Sequence, residues 1–394
     1  MAQSGDTPGP ALLSYGFRPF FLVAGLFGLA AVPVWMLAWH GALDLGGPFH
    51  PVDWHVHEML FGYVAAVIAG FLFTAVPNWT GRMPTRGWPL AALAALWLAG
   101  RLATAGLPPL GPVATAMVDC AFLAAIAAMI VREIVAGRNW RNLKVVVPVL
   151  LFLAANIAFH VEAARLGSSD VSRRLGFAVV IFLVMLIGGR IIPSFTRNWL
   201  AQRRETHLPA PFGRFDGASL LVAAAGLVFW VAAPGSTLAA AGLGLGAAAQ
   251  AARLARWRGA ATWRSPLLAM LHVAYAFVPL GLLVTAMGEA GWIAPAAGLH
   301  LLGIGAMAAM TLAVMVRATR GHTGRSLVAG KALTLAFGLL VAAALLRALG
   351  PLEGGAVDLA ALCWTIAFAL FVWRAAPWLV RPRVGRKAPS TAPS

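Results

Sequence analysis

The stretch LGFAVVIFLVMLIGGRIIPSF, residues 175–195, decides the class of fold, because its 21 residues hold a single charge, Arg190. A bilayer core about 30 Å thick is crossed by roughly 20 helical residues. Lipid offers no partner to a free backbone amide, so a run of this kind is stable there as a helix. Eleven further runs lie at about 18–39, 57–77, 88–106, 112–131, 145–164, 217–233, 237–253, 266–286, 293–316, 327–348 and 357–378. Only Pro234-Gly235-Ser236 separates the seventh of the twelve from the eighth.

The whole chain carries the same signature. Its 394 residues are 60% apolar and 11% charged, whereas soluble domains carry about 25% charged residues. An ordinary soluble fold is excluded. The expected fold is all-α, a polytopic integral membrane protein of twelve transmembrane helices.

Lys and Arg number 30 against 13 Asp and Glu, a net charge of +17 that raises the question of nucleic acid. Their positions answer it. Twenty-three fall on one side of the alternating runs, five (Arg101, Arg165, Arg173, Arg174 and Arg347) on the other, and Arg190 and Arg374 inside helices. That asymmetry places both termini in the cytoplasm and makes the basic charge an orientation signal, with no nucleic-acid partner required.

Residues 1–381 read as a single membrane domain and 382–394, rich in Pro and Ser, as a disordered basic cytoplasmic tail. The segment before Phe17 lacks the basic start of a cleavable signal peptide. Cys120 and Cys363 fall in separate runs and form no metal or redox motif.

Ionisable groups inside such runs are costly, and each is a functional candidate. His55-Val56-His57-Glu58 stands at the extracytoplasmic mouth of the second run. Helical residues two apart point about 200° from each other, so His55 and His57 are not expected to face one small site. His160, Glu162, His300 and Asp119 fall at depths that can share a layer with His57, whereas His272 enters from the cytoplasmic side.

Together His57, His160, His272 and His300 offer four imidazoles on four helices, an arrangement that can grip a haem or a metal ion. A lone intramembrane histidine can equally cross-link helices by hydrogen bonds. Arg190 either snorkels to water or pairs with an anionic group such as a haem propionate. His322 lies in the basic cytoplasmic loop Gly321-His322-Thr323-Gly324-Arg325, an anion clasp or a loop facing lipid phosphate.

Several stretches are similar to the NnrS family: Tyr15-Gly16-Phe17-Arg18-Pro19-Phe20-Phe21, Trp54-His55-Val56-His57-Glu58-Met59-Leu60-Phe61-Gly62-Tyr63, the segment from Gly70 to Gly81, the segment from Gly188 to Pro193, and Gly321 to Arg325. They spread from the first run to the eleventh. The resemblance implies a bacterial inner-membrane protein with twelve helices that contains haem and copper and is linked to denitrification and protection from nitric oxide. Carried onto this chain, the family's histidine-rich positions are His55, His57, Glu58, His160, His272, His300 and His322, with the division between haem and copper left open.

The leading expectation is a metalloprotein that binds nitric oxide and reduces 2 NO to N2O, with haem b and copper as cofactors. In that reading His57 and a histidine of another helix hold the haem. Glu58, Asp119 or Glu162 relays protons, and a quinol or a periplasmic cytochrome supplies electrons. The alternatives are a transporter or assembly factor for metal, haem or metal-nitrosyl species, and an NO-binding stress protein without turnover.

Overall fold

The computed structural model describes residues 9–350 and 355–385. Among the described residues all regular structure is helical, and no strand is present. Twelve long helices follow one another: α1 Phe17–Trp39, α2 Pro51–Thr80, α3 Trp88–Thr104, α4 Pro112–Ala136, α5 Val146–Leu166, α6 Asp170–Ala201, α7 Arg214–Ala232, α8 Thr237–Ala255, α9 Pro266–Glu289, α10 Pro295–His322, α11 Gly330–Leu349 and α12 Gly355–Val380. Eleven are long and apolar enough to cross a membrane, and α3 adds a shorter apolar helix of 17 residues. The chain is a multi-pass membrane protein, as the twelve runs require. Of the proposed tail, residues 386–394 lie outside the described residues.

Local chemistry sets the helix ends. Pro51, Pro112, Pro266 and Pro295 open α2, α4, α9 and α10, where a missing backbone N–H is no loss. Gly81 and Gly167 follow α2 and α5 with φ of +67° and +74°, the left-handed turn that ends a helix. Several helices extend past the hydropathy runs, and two of these extensions bear on the histidines. Helix α2 begins at Pro51, so His55 and His57 lie within it, and α10 continues through His322. Hydropathy misses these turns because their polar residues face protein partners or the helix end.

Burial separates an inner from an outer set of helices. In the most apolar window of each, 78% of α2, 67% of α9 and α10 and 61% of α6 is buried in protein, against 33–44% for the other long helices. The outer helices turn exposed Leu, Val and Ile outward, as a lipid-facing surface requires. Arg18 joins the two ends of the chain, donating through Nη1 to Leu379 O and Arg381 O, both at 2.8 Å, at the end of α12.

Three of the four inner helices contain a wide π turn: Glu58–Val64 in α2, Val184–Gly188 in α6 and Leu301–Ala308 in α10. Such turns disturb the regular backbone ladder and often mark functional positions. Side chains from neighbouring helices reach the carbonyls involved. Trp97 Nε1 of α3 donates to Gly62 O at 2.9 Å, and Arg253 Nη1 of α8 to Met185 O at 2.8 Å.

Arg253 is fully buried and also donates to Asp216 Oδ1 at 2.9 Å and Tyr275 Oη at 3.0 Å. Gly189 lets α6 approach it, because a Cβ there would overlap the guanidinium. Gly189→Ala is therefore expected to lower the melting temperature of the detergent-purified protein. Gly244→Ala on α8, where a Cβ meets no atom within 4 Å, should leave it unchanged or raise it, since Ala is the better helix former. Equal melting of the two variants would contradict this packing.

Candidate metal centre

Helix α2 presents His57 and Glu58 to the bundle between α3, α4 and α5, in the half away from the arginine-rich ends. On α5, Asn156 and His160 are one turn apart and share a face. Asp119 enters from α4, and Arg101 and Thr104 from the last turn of α3. All seven side chains are buried, His57, Glu58 and Thr104 completely.

Their hydrogen bonds form one network. Both ring nitrogens of His57 face oxygen acceptors, Nδ1 toward Glu58 Oε1 and Nε2 toward Asn156 Oδ1, each at 2.9 Å. Asp119 is its hub. Its Oδ2 accepts from Asn156 Nδ2 at 2.8 Å and His160 Nε2 at 3.0 Å and lies 3.2 Å from His57 Nε2, while Oδ1 pairs with Arg101 Nη2. Arg101 Nη1 donates to Glu58 Oε1 at 2.6 Å, and Thr104 Oγ1 reaches the same oxygen at 3.0 Å.

Arg101 can reach Glu58 because position 62 is glycine. A Cβ there would stand 2.7 Å from Arg101 Nη1 and 2.9 Å from Glu58 Oε2. Glu58 Oε2 and Arg101 Nε have no partner among the described residues. Phe49, from the loop before α2, covers the imidazoles with ring centroids 4.7 Å from His57 and 5.0 Å from His160.

His57, Asp119 and His160 offer three ligand atoms within 4.8 Å of one another and could hold a metal ion. Tetrahedral ligands about 2.05 Å from a metal stand about 3.3 Å apart. The observed 3.2 Å and 3.0 Å to Asp119 Oδ2 are within a few tenths of an ångström of that. Two imidazoles and a carboxylate suit Cu(II), Fe(II) or Zn(II), and three protein ligands leave a coordination position open. Two carboxylates and one guanidinium also leave a buried negative charge that a metal ion or a proton on His57 would compensate.

The other expected residues lie elsewhere. His272 is buried in the arginine-rich half, where Nε2 meets Thr196 Oγ1 at 2.8 Å. Glu162 accepts from Val171 N at 2.9 Å and Ser172 N at 2.8 Å, capping the start of α6. Arg190 is exposed beside Phe212, 5.6 Å from its ring centre, and exposed His322 rests near Tyr15 and Phe17. His55 stacks on Trp35, away from His57 as their two-residue spacing requires, and His300, bonded to Ala296 O of its own helix, is outside the cluster. Arg101, Thr104 and Asn156 are members that sequence reasoning missed. The i, i+4 spacing of Asn156 and His160, the first polar side chains in the apolar run of α5, was the available signal.

Removing one partner of a buried ion pair costs about 3–5 kcal/mol, because the other charge is left uncompensated. Arg101→Met is expected to destabilise the protein by an amount of that order in thermal or denaturant unfolding. Adding Glu58→Gln should recover part of the loss, and a double variant no more stable than the single one would contradict the pairing.

A sequence comparison with curated proteins gave no match. The family model described as NnrS protein matches residues 11–383, which take in all twelve helices and every residue of the buried network, so the chain belongs to the NnrS family.

Proposed function

We propose that this protein binds nitric oxide in the membrane and reduces 2 NO to N2O, and that His57, Asp119 and His160 hold a metal ion, copper, in this reaction. The supporting observation is the buried His/His/Asp cluster, in a chain of the NnrS family. The proposed setting is a bacterial inner membrane, with the arginine-rich ends in the cytoplasm. Haem b is the second proposed cofactor, and a quinol or a periplasmic cytochrome the proposed electron donor.

Reduction to N2O and water consumes two electrons, which come from the donor, and two protons, and bound metal would pass those electrons on and offer a Lewis-acidic position for NO. The chain's own residues have separate tasks in this proposal. Asp119, its oxygens held by Arg101 and Asn156, is fixed as the carboxylate ligand between the two imidazoles. Glu58 has a free Oε2 beside His57 and is placed to hold a proton and hand it on. Both oxygens of Glu162 are already engaged, which favours Glu58 as the relay. Phe49 excludes water from the imidazoles, while NO, small and apolar, can enter from lipid.

The test is N2O production by purified protein given reductant and NO without oxygen, with metal content measured in parallel. Wild type is expected to turn over. His57→Ala and His160→Ala should lose the metal and at least about 100-fold of the rate while keeping the wild-type elution profile. Metal-loaded wild type that binds NO and forms no N2O would overturn the enzymatic reading in favour of a non-catalytic NO-binding protein.

A further inference from the structure

The face of α2 opposite His57 carries a second cluster. There Trp35 of α1 stacks on His55 with ring centroids 4.2 Å apart. His55, His300 of α10 and Arg347 of α11 lie within electrostatic reach of one another. All four stand near the arginine-poor ends of their helices.

Three buried nitrogens in this cluster, Trp35 Nε1, His55 Nδ1 and Arg347 Nη1, have no hydrogen-bond partner among the described residues. Buried polar atoms are nearly always paired, so three orphans together indicate a group that belongs between them. The indole and guanidinium N–H groups can only donate, which requires an acceptor. His300 is prepared differently. Its Nδ1–H donates to Ala296 O at 2.7 Å, one turn back, which fixes the tautomer and leaves Nε2 with a free lone pair.

Imidazole lone pairs call for a metal, whereas Arg347 repels a bare cation and calls for an anion. No carboxylate forms an ion pair with Arg347 among the described residues. A metal carried in a ring that bears its own carboxylates satisfies both demands: nitrogen ligands for iron, and donors for a propionate. Both helices that supply the imidazoles widen directly afterwards, in the π turns that begin at Glu58 and Leu301.

We propose that His55 and His300 ligate a haem and that Arg347, with the Trp35 N–H, binds its propionate, at a site separate from the His57, Asp119 and His160 centre. This rests on the reading of the protein as haem-containing and assigns that group its residues. His55 and His57, two residues apart on one helix, then serve two different centres.

Haem stoichiometry by the pyridine method and optical and EPR spectra of the purified protein test it, for wild type, His55→Ala, His300→Ala, His300→Gly, Arg347→Gln, His57→Ala and His160→Ala. Haem in His55→Ala and His300→Ala is expected to fall at least tenfold, while His57→Ala and His160→Ala keep wild-type haem and spectra. Imidazole in the buffer should restore haem to His300→Gly, which an unfolded variant cannot show. Arg347→Gln should keep haem at a lower midpoint potential, since a nearby positive charge is lost.

Wild-type haem content with unchanged spectra in both His55→Ala and His300→Ala would overturn the site and leave haem binding intact. Haem-free wild type would overturn the haem reading itself.

Discussion

Two carboxylates and a guanidinium buried in a bundle that lipid surrounds cannot stand apart from one another, and the fold around them follows from that constraint. Arg101 lies between Glu58 and Asp119, so α2, α3 and α4 are fixed relative to each other. Asn156 and His160 bring α5 to the same point. The glycine at position 62 gives the guanidinium its space, and the Trp97 indole takes the Gly62 carbonyl in the π turn below His57. Imidazoles held this way are oriented before any metal arrives, which reduces what binding must rearrange.

The arginine-rich half repeats the principle with different residues. Arg253 meets Asp216, the Tyr275 hydroxyl and the Met185 carbonyl in the π turn of α6, with Gly189 making room. In both halves an irregular backbone turn deep in an inner helix is satisfied by a side chain of an outer one. Irregular backbone at membrane depth is tolerated where protein surrounds it, as here. The outer helices are thus tied to the inner ones by polar contacts that lipid cannot replace.

Hydropathy made the helices legible, because spanning lipid demands long apolar runs that few other folds contain. Charge placement was less informative at the level of single residues. Arg101 and Arg347 counted as outer charges and Arg18 and Arg253 as inner ones, yet all four are buried within the protein. Arg190 and Arg374, left inside helices by the same count, are exposed. A charge near a helix end satisfies the topology rule whether it points to water or to a partner, and sequence does not separate the two. The opposed directions of His55 and His57 were readable, since helical geometry alone sets them. The partners of His300 were not, because depth gives a layer and no direction around the helix axis.

The proposed chemistry depends on a metal ion held by His57, Asp119 and His160. Copper K-edge X-ray absorption fine structure of protein purified from copper-supplemented cells tests it most directly, comparing wild type with His160→Ala. The prediction is a first shell of nitrogen and oxygen at about 2.0 Å with two imidazoles in wild type, one of which disappears in the variant. A sulfur-dominated shell, an identical spectrum in His160→Ala, or the absence of stoichiometric copper would contradict it.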